Sequence, residues 1–109
     1  MTTFTPKTFQ IYQAGELTVV GFEAKTSLHQ IDLALCREEL AKLVEENQTR
    51  FLAFDLTNIR VFPSGMLGLL ASLRRLDVEV HLYNASSDIV EVLEITGLKR
   101  FMQLHQVSL

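Results

Sequence analysis

The sequence predicts an α/β fold in which a mixed β-sheet opens on an N-terminal hairpin and is flanked by helices. Three features predict it. An alternating segment at 9–13 is followed, after Ala14-Gly15, by a second strand-like segment at 17–22. A nearly continuous apolar run, Phe51-Leu52-Ala53-Phe54-Asp55-Leu56, lies at the centre of the chain. Strand-like and helix-like periodicities alternate from there on, giving the order ββαβαβα and implying helices layered on at least one face of a sheet.

Taken in order, Phe9-Gln10-Ile11-Tyr12-Gln13 and Leu17-Thr18-Val19-Val20-Gly21-Phe22 read as the two arms of the hairpin. Between about Asp32 and Glu46, apolar residues fall at Leu33, Cys36, Leu40, Leu43 and Val44, the spacing of one helical face. Arg37, Glu38, Glu39, Lys42, Glu45 and Glu46 are assigned mostly to the opposite, water-facing side, with Glu38 and Lys42 at pairing distance. The run at 51–56 lacks alternation and is expected to be a central strand covered on both faces. A second helix is expected from Ser64 to about Arg75, and a strand at Glu79-Val80-His81-Leu82-Tyr83. A third helix over Ser86–Thr96 would turn Ile89, Val92 and Leu93 inward, with Asp88 and Glu91 as a capping-box variant and Gly97 as its stop. Residues 98–109 read as one helical turn and a last extended segment. Right-handed crossovers then bring the ends of the Asp55 and Tyr83 strands to one edge of the molecule.

At 109 residues with 48% apolar and 21% charged side chains, the chain has enough apolar surface for one folded domain over 1–109. Its net charge of −3 and scattered basic residues argue against nucleic acid, whose affinity comes mainly from neutralised phosphates. The only basic pairs are Arg74-Arg75 and Lys99-Arg100, and neither is expected among aromatic rings. No apolar run approaches the roughly 20 residues that span a bilayer, and the N-terminus carries no leader pattern. The expected address is the cytoplasm, with no membrane insertion. The single cysteine, Cys36, is placed in the core. His29, His81 and His105 are each expected to be isolated, with no metal spacing, so no metal or other cofactor is expected.

The most informative segment is 61–73. Its helix is apolar almost all round, with Met66, Leu69, Leu70 and Leu73 in one stripe and Leu67 and Ala71 on another side. A helix covering a sheet needs only one apolar stripe. Either this helix is the most buried one, or part of it is left for another protein. Ser64 begins it, where backbone N–H groups point outward and an anion is favoured. A serine there is either an N-cap or a phosphorylation switch. Asp55, Thr57 and Asn58 close the preceding strand and could line the same surface, or satisfy loop backbone groups. Nothing selects a general base for Ser64, so an enzyme is not expected.

Two local patterns give the chain a resemblance to the STAS domains, the family of anti-sigma-factor antagonists. Phe51-Leu52-Ala53-Phe54-Asp55-Leu56-Thr57-Asn58-Ile59 followed by Ser64-Gly65 resembles the family's apolar strand ending in Asp-Leu-Ser/Thr, then a loop and Asp-Ser-Ser/Thr-Gly-Leu-Gly. Val80-His81-Leu82-Tyr83-Asn84 followed by Val92-Leu93-Glu94-Ile95-Thr96-Gly97-Leu98 resembles the second conserved stretch. Phe62 and Pro63 stand where the family has Asp and the first Ser/Thr, and Gly65-Met66-Leu67-Gly68 carries one residue more than Gly-Leu-Gly. The resemblance implies a STAS-like mixed sheet and a partner-switching role. The partner would be an anti-sigma factor that is also a serine kinase, with Ser64 phosphorylated by it and restored by a phosphatase. Asp55, Thr57, Asn58, Phe62, Pro63, Gly65, Met66 and Leu67 would form the partner surface. An alternative within the same resemblance is an accessory subunit docked on an ATP-binding-cassette ATPase, with Ser64 only a cap. Pairing of two copies through the opening hairpin is left open.

Overall fold

A computed structural model describes residues 4–22 and 30–107. His29 therefore lies outside the described residues. The hairpin is β1 (Gln10–Gln13) and β2 (Leu17–Gly21), followed by α1 (Leu33–Asn47), β3 (Phe51–Asp55), α2 (Ser64–Ser72), β4 (Glu79–Tyr83), α3 (Ser87–Thr96) and β5 (Met102–His105). Short 3-10 turns at Leu73–Leu76 and Leu98–Phe101 extend α2 and lead into β5. The strands lie in the order β1-β2-β3-β4-β5. The β1–β2 pair is antiparallel and the rest are parallel.

Because each parallel strand is added beside the last, right-handed crossovers carry α1, α2 and α3 to the same face. That face holds the core. Val20, Leu52, Phe54, Val80, Leu82 and Met102 pack beneath Cys36, Leu40, Leu43, Met66, Leu69, Leu70, Ile89 and Leu93. Helices thus cover β3 on one face only, within the expectation of at least one. Ala53 is nonetheless buried on the helix-free face, because its methyl is short and Val19 and His81 flank it in register.

Asp32 caps α1, its Oδ1 accepting from the Leu35 N–H at 3.0 Å. Gln48, left-handed at φ 49°, and Thr49 close the helix by donating to the Glu45 and Val44 carbonyls. The Thr18 and Thr49 hydroxyls both donate to the Gly15 carbonyl at 2.9 Å, tying the hairpin turn to the α1–β3 connection.

Glu39 departs from its expected place in water. It is 8% exposed. Its carboxylate accepts from the Lys7 N–H (2.7 Å), the Thr8 N–H (3.1 Å) and the Thr8 hydroxyl (2.6 Å), fastening the segment before β1 onto α1. Lys42 lies 4.7 Å above the Phe4 ring, and no Glu38–Lys42 ion pair forms among the described residues. On α3 the cap is Ser86, whose hydroxyl accepts from the Ile89 N–H at 3.2 Å, so Asp88 is not the cap. Ile89 and Leu93 turn inward, but Val92 stays exposed. Gly97 ends the helix as expected, at φ 78° with its N–H on the Glu94 carbonyl.

Cys36 is buried. Desolvation raises the thiol above its ordinary range, Glu39 adds to the rise, and a Thr8 hydrogen bond partly opposes it. The folded thiol therefore stays neutral at pH values where the unfolded one ionises. Stability is expected to be flat below about pH 8.5 and to fall above it on this account, as the unfolded chain releases its proton first. A thiol-specific dye is expected to label Cys36 only at the rate of unfolding. Immediate labelling of the native protein would contradict its burial.

Candidate functional site

The loop from Leu56 to Pro63 carries the candidate site, and the sheet edge holds it from below. The Leu56 N–H donates to the Tyr83 carbonyl at 2.9 Å, and the Ile59 N–H closes a turn on the Leu56 carbonyl. Asn58 takes the left-handed conformation in that turn, at φ 69°, which Asn tolerates better than most residues. Leu56 and Ile59 are buried plugs. Asp55 Oδ1 accepts from both the Thr57 N–H (3.0 Å) and the Thr57 hydroxyl (2.6 Å). The Asn84 side-chain amide donates to the Thr57 hydroxyl oxygen at 3.0 Å. Asn84 Oδ1 in turn accepts from the Val107 N–H at 2.7 Å. On the far side, the Ser86 hydroxyl donates to the Arg60 carbonyl at 2.6 Å. Asp55 and Thr57 therefore brace the loop, while Asn58 is exposed at its tip.

What the loop presents is the start of α2. Val61 is 51% exposed, Phe62 and Pro63 are half-buried, and Ser64 is exposed. The N-cap residue of α2 is Pro63, at φ −65° and ψ 152°, with no side-chain cap bond. Its carbonyl accepts from the Met66 N–H at 2.9 Å. Proline suits this position because its fixed φ is already extended enough to enter a helix and it has no N–H to satisfy. Ser64 is thereby moved to the first helical residue and is not the N-cap. Its hydroxyl has no hydrogen-bond partner among the described residues. It stands among the first backbone N–H groups of the helix, which lack intrahelical acceptors.

The flanks of α2 answer whether its apolar surface is open. Met66, Leu69 and Leu70 are each 1% exposed and Leu73 fully buried. Met66 therefore cannot meet a partner, a correction to its expected place on the partner surface. It projects into the core because it shares the stripe of Leu69, Leu70 and Leu73. The outer flank is built from small residues, with Ser64, Gly65 and Gly68 exposed and Leu67 and Ala71 half-buried. A Cβ on Gly65 would come within 2.5 Å of Leu33 Cδ1, so this glycine lets α1 close on α2. A Cβ on Gly68 would meet nothing within 4 Å. Gly68→Ala is therefore expected to stabilise the fold by about 0.5–1 kcal/mol through helix propensity alone. A thermal midpoint that fails to rise would show strain at this position.

The remaining candidates fall elsewhere. His81 and His105 are not isolated: His81 Nδ1 and His105 Nε2 lie 2.8 Å apart, and His81 Nε2 lies 2.7 Å from Glu79 Oε2. Both belong to the helix-free face, in the rows of Ala53 and Asp55, so neither serves the Ser64 hydroxyl as a base. Among the described residues no group of three or more potential ligands could hold a metal ion. The two basic pairs also converge on an aromatic ring, contrary to expectation. Arg74 sits 3.7 Å and Arg100 4.8 Å from the Phe101 centroid. Residue 101 immediately follows one of those pairs, and that adjacency was the available signal. Among the described residues no helix is long and apolar enough to cross a membrane.

Comparison with known proteins gives a consistent picture. A family model described as the STAS domain matches residues 10–108. Among solved structures, the chain resembles an anti-sigma-factor antagonist (STAS) domain protein from Planctomyces limnophilus, with 19% identity over 94% of this chain and 92% of that one, and a TM-score of 0.73. It also resembles the anti-sigma factor antagonist SpoIIAA in its unphosphorylated form, with 14% identity over 92% and 88% of the two chains and a TM-score of 0.76. The phosphorylated form of SpoIIAA, the Bacillus cell fate determinant, matches with 15% identity over 92% and 91% and a TM-score of 0.68. No curated protein sequence matches the chain.

Proposed function

The chain belongs to the STAS domain family, and from that premise we propose that it is a partner-switching regulatory module of the anti-sigma-factor-antagonist kind. It docks a protein partner through the loop and outer flank of α2, and phosphorylation of Ser64 releases that partner. One observation carries this reading. Ser64 stands exposed and unbonded at the start of α2, with Phe62, Pro63, Gly65 and Leu67 around it. A hydroxyl with a structural bond would have to break it to become a phosphoester, and among the described residues this one has none. Asn58 belongs to the rim of the surface, while Asp55 and Thr57 act by holding the loop. SpoIIAA is known in phosphorylated and unphosphorylated forms, which supports a phosphorylation switch within this fold.

Physical magnitudes allow such a switch. A phosphoserine carries about −1.5 to −2 charges at neutral pH. Losing 100-fold in affinity takes only about 2.7 kcal/mol, less than the effective penalty of drying an unpaired ion. The partner is an anti-sigma factor with serine kinase activity, paired with a phosphatase that reverses the modification. The working compartment is the cytoplasm, where ATP is available to the kinase.

The test is to co-purify the chain with anti-sigma-factor kinases from its own genome, add ATP to each complex that forms, and weigh the product. One phosphate on the wild type and none on Ser64→Ala is the expected result. A kinase that binds the chain yet transfers no phosphate overturns the switch. Recovery of a transport ATPase whose binding survives Ser64→Asp would instead assign the chain as an accessory subunit of a transporter.

A further inference from the structure

The helix-free face of the sheet carries a cleft of about 310 Å³ beside the C-terminal end of β3. That volume is at the lower end of the range for small-molecule sites. Val19 and Ala53, neighbours in register, form its apolar floor. Tyr12 and Tyr83 form its walls, and the Asp55 carboxylate also lines it.

Each of these parts is fixed in place. The β1 bulge at Tyr12 turns its ring across β2 at Gly21, where a Cβ would come within 2.5 Å of the ring. Only glycine at 21 lets that wall lie against the strand. Tyr83 is stacked on His105, with centroids 4.5 Å apart. His105 is stacked on and hydrogen-bonded to His81. Gly21, Asp55 and Tyr83 occupy one register row. The two walls are therefore separated by two strand spacings, roughly 9–10 Å, with the carboxylate between them. A planar group needs about 3.5 Å of clearance to a ring on either side, so it fits this gap. Asp55 Oδ1 is taken up by Thr57, whereas Oδ2 has no hydrogen-bond partner among the described residues. Among the described residues, no lysine or arginine lines the cleft.

We infer that this cleft is a binding site for a planar organic cation, an amidinium, guanidinium or protonated heteroaromatic amine. Two π faces attract a flat cation. The open carboxylate oxygen accepts a charge-assisted hydrogen bond from its N–H. The apolar floor disfavours a compact, strongly hydrated ammonium or metal ion. The net charge of −3 draws cations toward the chain at long range. The site lies on the opposite face of the sheet from the helix layer, and it shares Asp55 with the brace of the Ser64 loop, the loop using Oδ1 and the cleft Oδ2.

Benzamidine is the probe, with neutral benzamide as its shape match, each titrated into the ¹⁵N-labelled full chain. Benzamidine is expected to give saturable shifts at the amides of Val19, Ala53, Asp55 and Tyr83. Benzamide should bind about 10-fold or more weakly, the value of one charge-assisted hydrogen bond. Asp55→Asn keeps the Oδ1 acceptor for Thr57 and puts an amide donor in place of Oδ2, so it should reduce benzamidine to the benzamide level with the loop intact. Tyr12→Ala, at a residue 55% exposed, should weaken benzamidine without touching the loop. Equal binding of the two probes, shifts mapping elsewhere, or no saturable shift overturns the inference. So does ligand-free, concentration-dependent broadening of the same residues, which would assign the face to a second copy of the chain.

Discussion

Replacing Ser64 with aspartate is expected to lower affinity for the cognate partner about 100-fold without lowering the unfolding midpoint. The two halves of that expectation have separate causes. The Ser64 hydroxyl is exposed and makes no hydrogen bond among the described residues, so its replacement has little to remove, and surface changes of this kind fall within about 0.5 kcal/mol. A carboxylate in the first turn is even favoured by the helix dipole, by about 0.3–1 kcal/mol. At an interface the same carboxylate must lose water beside Phe62 and Leu67, and the penalty for such a group is several kcal/mol. Ser64→Ala should bind within a factor of a few of wild type. Gly68→Gln supplies an independent check: a Cβ there meets nothing within 4 Å and the position is exposed, so it should be tolerated by the fold, yet it should abolish docking if the small-residue flank is covered. Calorimetric titration against the partner, with thermal unfolding of each variant, reads all three. Wild-type affinity for both Ser64→Asp and Gly68→Gln would place the interface elsewhere.

Glu39→Ala is expected to be the most damaging single charge removal, at about 2–4 kcal/mol. The carboxylate is 8% exposed and serves three donors, two of them backbone N–H groups. Hydrogen bonds to a charged group are worth about 1.5–3 kcal/mol each, and a donor left buried without an acceptor costs a similar amount. The full sum is not reached because the segment before β1 can peel away and find water. That escape has its own cost, since Phe9 is 6% exposed and Phe4 is packed against the core. Glu39→Gln keeps one acceptor and should lose roughly half as much. Urea unfolding measures the loss. Amide exchange should show Lys7 and Thr8 losing protection ahead of the sheet, and an unfolding curve superimposable on wild type would refute the brace.

Patterns that repeat over a few residues were legible in the linear chain. The strand–helix alternation, the inward stripe Met66-Leu69-Leu70-Leu73 and the Gly97 stop all follow from backbone geometry and the spacing of apolar side chains. Ser64 could be placed at the tip of a helix for the same reason. Its exact position could not, because Ser and Pro are both common at a helix start. The cap went to Pro63 once the loop had been tied down by Asp55, Thr57, Asn84 and Ser86. Glu39 had a local clue, since it is adjacent to the stripe of Cys36, Leu40 and Leu43. Its acceptors' donors, however, lie 31 and 32 positions away.

The order of elements and the family follow from the residues alone, because apolar periodicity and turn chemistry act between near neighbours. Folding in three dimensions settled the rest: one sheet face left without helices, His81 set against His105, and Tyr12 and Tyr83 placed on either side of Asp55. Those pairings arise where strands distant in sequence come into register, and a hydrogen bond or a stacked ring carries no periodicity that a linear reading can detect.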